Sequence, residues 1–149
     1  MQILYRVKSG LLRRLRWRTR GVKVMVFNEA GELLLIRNSY GATHLYVLPG
    51  GGIRPFERPA AAAAREVREE VGIAVERLAP LSTYISEAEG KRDTVHLFTG
   101  FTDAAPRPDG VEVEEASFFP LDRLPEAVSA ATLRRIAEHR GKRPVGTAW

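Results

Sequence analysis

The sequence predicts an α/β fold, a mixed β-sheet sandwiched between helices, and three observations carry that expectation. Alternating or continuous apolar segments of strand length lie both before and after one central helical segment. A second helical segment follows the last of them. The chain has 149 residues, 44% of them apolar, which suits one domain with a single core.

The first 20 residues stand apart. Leu4, Val7, Leu11 and Leu15 recur at helical spacing, Trp17 follows, and seven bases (Arg6, Lys8, Arg13, Arg14, Arg16, Arg18, Arg20) occur with no acid. This predicts a basic amphipathic N-terminal helix over residues 1–20, with Gly10 as its weak point. Of the 23 Lys and Arg, 16 remain in residues 21–149 against all 18 Asp and Glu, so an arm of +7 precedes a domain of −2. The net charge of +5 is a property of the arm and not a nucleic-acid footprint of the whole domain.

Residues 21–149 are expected to form that domain. Val22–Phe27 alternates as a strand does, Asn28–Glu32 is a turn, and Leu33–Arg37 returns. A polar loop leads to a third strand, Leu45–Pro49. Pro59–Val71 reads as a helix, with Pro in its first turn and Gly72 past its end. Residues 78–86, 94–101 and 112–119 are strand segments, the last preceded by the breaker-rich stretch 105–110, and Ala130–His139 is a closing helix before a loose tail.

The chain has no Cys, which excludes disulfide frameworks, thiolate metal sites and thiol catalysis. No apolar run approaches the roughly 20 residues that span a bilayer, and arginines interrupt any signal-peptide core. The expected location is cytoplasmic.

The chemistry concentrates between residues 50 and 73. On a helix at about 100° per residue, Glu66, Glu69 and Glu70 share an arc of roughly 100°, while Ala60, Ala63, Ala64, Val67 and Val71 lie on another that can face the sheet. Three like charges at this spacing repel, so a cation is expected among them. With oxygen ligands only, a hard ion fits, Mg²⁺ before Mn²⁺. The preceding Gly50, Gly51 and Gly52 let the backbone turn tightly and approach a ligand, which suits a phosphate- or metal-binding loop.

From Gly51 to Ile73 the residues match Gly-x5-Glu-x7-Arg-Glu-U-x-Glu-Glu-x-Gly-U, with U apolar at Val67 and Ile73. Seven fixed identities at about one in fifteen each arise by chance about once in 10⁸ positions. This is the Nudix box, and the chain resembles the Nudix hydrolases across roughly residues 21–139. The resemblance implies a Nudix-type α/β/α sandwich and Mg²⁺-dependent hydrolysis of a diphosphate linkage in a nucleoside diphosphate joined to another moiety. One departure is Arg58, where the family often has a Ser or Thr helix cap.

The resemblance further implies that Glu66, Glu69, Glu70 and the Gly50 carbonyl bind metal, and that Glu66 or Glu69 is the general base. A base or extra ligand from outside the box is an alternative, with Glu112, Glu114 and Glu115, or Glu87 and Glu89, as candidates. Gly51, Glu57, Arg65 and Gly72 are its structural residues, Glu57 and Arg65 forming a pair that orients loop against helix. Arg37 and Tyr46 are candidate substrate contacts. For Tyr40, Tyr84 and Phe118, packing is the better expectation, as surface charge is for Lys91 and Arg92, and His44, His96 and His139 show no metal-site spacing.

No signature outside the box selects a substrate. The expectation is a small nucleotide, of the ADP-ribose or NDP-sugar type, by family analogy alone. An RNA 5′-end pyrophosphohydrolase, a nucleoside triphosphate pyrophosphatase and a catalytically silent nucleotide-binding regulator are the alternatives, and a homodimer is common among relatives. For the arm, packing on the domain is favoured over a nucleic acid or membrane-surface partner. Deletion of residues 1–20 is then expected to lower the melting temperature and leave the substrate profile unchanged. A stable truncation that loses salt-sensitive binding to RNA or anionic vesicles would contradict packing.

Overall fold

The computed structural model describes residues 20–40, 44–87 and 92–149. The strands are β1 (Arg20–Phe27), β2 (Leu33–Asn38), β3 (Tyr46–Val47), β4 (Gly50–Gly52), β5 (Glu76–Ser86), β6 (Asp93–Phe101) and β7 (Val113–Phe119). The helices are α1 (Pro59–Val71) and α2 (Ala130–His139). The expected N-terminal helix, Glu89 and Lys91 fall outside the described residues. Among the described residues, no helix is long and apolar enough to cross a membrane.

The sheet is mixed, as expected. Its order is β3-β2-β1-β6-β5, with β4 also paired to β1 and β7 to β2. β1 runs parallel to β6, and the other strand pairings are antiparallel. Strand alternation divides the core into two layers. Val22, Val24, Val26, Leu34, Ile36 and Phe98 pack beneath Ala62, Ala63, Val67 and Val71 of α1. Met25, Leu33, Leu35 and Leu97 face the other way, toward Tyr84, Val128 and Ile136 of α2. Each helix covers one face, giving the α/β/α sandwich.

The ends of α1 follow its sequence signals. Pro59 opens the first turn, and Gly72 takes the left-handed conformation (φ 70°), its N–H bonded to the Arg68 carbonyl at 2.9 Å. Arg58 at the N-cap makes no side-chain capping bond, whereas α2 is capped by Ser129, which accepts from the Thr132 N–H.

Several expectations need correction. The glycine run is a paired strand and not a loop, with Gly51 opposite Val22 and Gly50 opposite Lys23; the strand expected over 45–49 shrinks to Tyr46–Val47. The buried face of α1 is rotated, so that Glu66 and Glu70 are buried beside Ala62, Ala63, Val67 and Val71, while Ala60 is exposed. Strand β4 has no side chains to keep those carboxylates out.

The last correction is the tail, which is docked. The Trp149 N–H donates to the Ile85 carbonyl at 2.9 Å, the Ile85 N–H donates to the Thr147 carbonyl, and Ala148 bridges Ile85 at the β5 edge. Arg135, 1% exposed, donates to the Ala148 carbonyl and to Glu138, and its guanidinium lies 3.9 Å from the Tyr84 ring centroid. Glu138 also accepts from the Tyr84 hydroxyl at 2.7 Å and from the Gly146 N–H. Burial pushes the Glu138 carboxyl up, but Tyr84, Gly146 and Arg135 more than offset this and hold it below the ordinary range.

Removing one partner of such a buried pair strands the other. Glu138→Ala is expected to cost roughly 3–5 kcal/mol in urea unfolding at neutral pH. Because the folded pKa is depressed, this contribution is present above the ordinary carboxylate value and is lost as pH falls through the folded one. The cost should therefore shrink in acid. A pH-independent cost below about 1 kcal/mol would contradict a buried, paired charge.

Candidate active site

The site is built where α1 crosses β4. A Cβ on Gly51 would lie 2.6–2.8 Å from the Glu66 carboxylate, and one on Gly50 (φ 155°) would lie 2.0 Å from the Val22 carbonyl oxygen. Only glycine admits both the strand pairing and a carboxylate pressed against the backbone.

Arg65 organises the negative groups. Its guanidinium bonds both Glu57 oxygens at 2.8 Å, Glu66 Oε1 at 2.8 Å, the Gly52 carbonyl at 2.9 Å and Glu69 Oε2 at 3.4 Å. The Glu57 carboxyl is held below the ordinary range, first by the Arg65 hydrogen bonds, against the opposing effect of burial. The expected Glu57–Arg65 brace is present, and it also grips two of the three box carboxylates. Arg54 adds a second cation 3.5 Å from Glu69 Oε1.

Glu70 is different. It is 4% exposed, and its Oε2 is buried without a hydrogen-bond partner. Burial first, then the adjacent Glu66 carboxylate, pushes its pKa well above the carboxylate range, with Lys23 opposing and Glu112 adding to the shift. The three carboxylates do not form a ready cage. Among the described residues no three His, Asp or Glu side chains converge as metal ligands, and the Glu69 oxygens lie 3.5 Å from Arg54 and 3.4 Å from Arg65.

The NUDIX domain family model matches residues 17–139. The chain belongs to the NUDIX family. It is 36% identical over 143 residues to an isopentenyl-diphosphate Delta-isomerase of Streptomyces griseus subsp. griseus, covering 87% of this chain and 64% of that protein. It is 30% identical over 118 residues to the NAD-capped RNA hydrolase NudC of Stutzerimonas stutzeri, covering 75% of this chain and 40% of that one. The chain thus spans less than two thirds of the length of either relative. Among solved structures it resembles a MutT NUDIX hydrolase from Burkholderia pseudomallei, with a TM-score of 0.71, 27% identity, and coverage of 79% of this chain and 95% of that one.

Nudix hydrolases generally need a divalent metal, and the residues present fit one. The donors are all oxygens, the Glu70 Oε2 atom is buried and unsatisfied, and a glycine strand brings backbone close to the carboxylates.

The remaining candidates separate in space. Glu112 is the one of its group close enough to Glu70 to act on its charge. Glu115 accepts from the Tyr46 hydroxyl and pairs with Arg37 at 3.2 Å, and Glu114 lies 3.8 Å from Arg37. Arg37 and Tyr46 therefore form a cluster with Glu114 and Glu115, on the sheet face that carries Leu33 and Leu35. Glu87 is exposed after β5. Tyr84 and Phe118 are packing residues, and His139 stacks on Phe27.

Lys23 was missed by the motif. Its Nζ donates to the Leu48 carbonyl at 3.0 Å, just ahead of Pro49–Gly50. Burial lowers its pKa, while Glu70 and Glu66 pull it back up. The available signal was a lysine within an otherwise apolar strand, but only the pairing of Lys23 with Gly50 relates it to the box.

Gly51→Ala tests this geometry. The methyl group must displace the Glu66 carboxylate, so turnover is expected to fall at least about a hundredfold while the circular dichroism spectrum is kept. Wild-type turnover would show that Glu66 need not lie against β4.

Proposed function

We propose that this chain hydrolyses a phosphoanhydride linkage in a nucleoside diphosphate joined to another moiety, of the ADP-ribose or NDP-sugar type, using Mg²⁺. The observation that carries the proposal is the buried, partnerless Glu70 oxygen beside Glu66 and the glycine strand. The relatives' names add support: one acts on isopentenyl diphosphate and the other on NAD-capped RNA, so both substrates contain a diphosphate.

Glu66, Glu69, Glu70 and the Gly50 carbonyl would hold the ion. When bound, Mg²⁺ supplies neutralisation of diphosphate oxygens and acidification of water. Glu70 and Glu66, both buried on α1, fix the anionic centre on a rigid helix. Glu69, with its side chain 33% exposed, is the box carboxylate that solvent reaches most readily, and it takes the water proton as general base. Arg65 keeps Glu66 from rotating away, and Glu57 keeps Arg65 in place. Glu112 lends negative charge from the β7 side and is the reserve ligand or base.

Isopentenyl-type isomerisation is the second reading, favoured by the 36% identity to an isomerase. Product analysis separates the two. With Mg²⁺ and a panel of ADP-ribose, NDP-sugars, nucleoside triphosphates, 5′-triphosphate RNA and isopentenyl diphosphate, a nucleoside monophosphate is the expected product. Glu69→Gln and Glu70→Gln should each lower its formation by at least about a hundredfold, with the fold retained. Activity within tenfold of wild type for both would contradict the metal assignment, and an isomerised diphosphate with no cleavage would favour the second reading.

A further inference from the structure

Between β4 and α1 the chain makes a tight turn, Arg54-Pro55-Phe56-Glu57, closed by the Glu57 N–H to the Arg54 carbonyl at 3.1 Å. Phe56, its third residue, has φ 65°. Proline second and a positive φ third is the type II pattern, whose third position is normally glycine or asparagine. A bulky side chain there is strained.

Most other described positions with positive φ are glycine. Gly31, Gly110 and Gly141 take positive φ at open positions where a Cβ would meet nothing within 4 Å. The other described non-glycine residue with positive φ, Arg77, uses its side chain, its guanidinium lying 4.1 Å from the Phe101 ring centroid. Phe56 has no such use within the described residues, and its side chain is fully exposed (105%). A strained backbone that displays a bare aromatic ring points to a ligand for that ring.

The turn is tied to the candidate site at both ends. Arg54 reaches Glu69 at 3.5 Å, and Glu57 accepts from the Arg54 N–H while holding Arg65, which holds Glu66. The ring is therefore carried on a turn tied by hydrogen bonds and an ion pair to the residues around the carboxylates, with the exposed cations Arg54 and Arg58 on either side in sequence.

Building on the proposed diphosphate chemistry, we propose that Phe56 is a specificity-determining residue: its ring stacks on the base of the substrate's nucleoside while the diphosphate lies toward Glu66, Glu69 and Glu70. Such a platform selects for the presence of a base more than for its identity, since every base offers a π-face.

The test reads binding rather than turnover, so it stands apart from the hydrolysis assay. Isothermal titration of the full chain with Mg²⁺ and ADP, UDP or inorganic pyrophosphate is expected to give about tenfold weaker ADP and UDP binding for Phe56→Gly, restored by Phe56→Trp, with pyrophosphate binding unmoved. The glycine variant should melt at or above the wild-type temperature. Equal ADP affinity in wild type and Phe56→Gly, or a wild type that binds ADP no better than pyrophosphate, would overturn the inference. So would a lower melting temperature for Phe56→Gly, which would place the ring against residues of this chain. Intact stacking without hydrolysis would overturn the reaction instead.

Discussion

Two carboxylates on the core side of one helix are the constraint on which the rest of the site depends. A buried carboxylate is costly unless something positive or hydrogen-bonding compensates it. Glu66 is supported by Arg65, whereas one Glu70 oxygen has no partner. Around this pair the structure supplies three things: a strand without side chains, which leaves room; Arg65, which is itself held by Glu57; and Lys23, whose charge acts on both carboxylates. The unsatisfied remainder is suited to a divalent ion, and the chemistry proposed for the chain follows from that remainder.

The contrast with the other face of the sheet is instructive. Arg135 and Glu138 are also buried, but the Tyr84 hydroxyl, the Gly146 N–H and the Ala148 carbonyl complete most of their hydrogen bonds. That cluster pins the tail to β5 and α2 and has the character of a structural tie. The α1 cluster violates the rule that buried polar groups are satisfied, and such violations concentrate at functional sites. Neither burial nor one unmet atom distinguishes the two, since Arg135 Nε also lacks a partner; charge balance does, Arg135 and Glu138 being opposite in sign while Glu66 and Glu70 are alike.

Much of this was legible in residue order. The spacing of Glu66, Glu69 and Glu70, the Pro59 start and the Gly72 stop all act within one helix, and helical geometry is local. The Glu57–Arg65 brace was equally readable, being within the motif. What depended on register was not. Glu112, Glu114 and Glu115 are near neighbours in sequence, yet the β2–β7 pairing sends the last two to Arg37, while the charge of Glu112 acts on Glu70. Lys23 enters the site only because β1 pairs with β4. The burial of Glu66 and Glu70 was hidden because it depends on what the opposing strand lacks. The glycines were expected to serve a loop; their use is to make a strand thin enough for carboxylates.

The most direct test of the central claim follows the oxygen of water. With Mg²⁺ and ADP-ribose in ¹⁸O-labelled water, the account predicts cleavage with one labelled oxygen bound to phosphorus in one phosphate product, seen by mass spectrometry and as an isotope shift in the ³¹P spectrum. Glu70→Gln should abolish the incorporation. Turnover of an ADP-ribose, NDP-sugar or other diphosphate substrate with no label at phosphorus would contradict the claim that these carboxylates direct water to a phosphoanhydride.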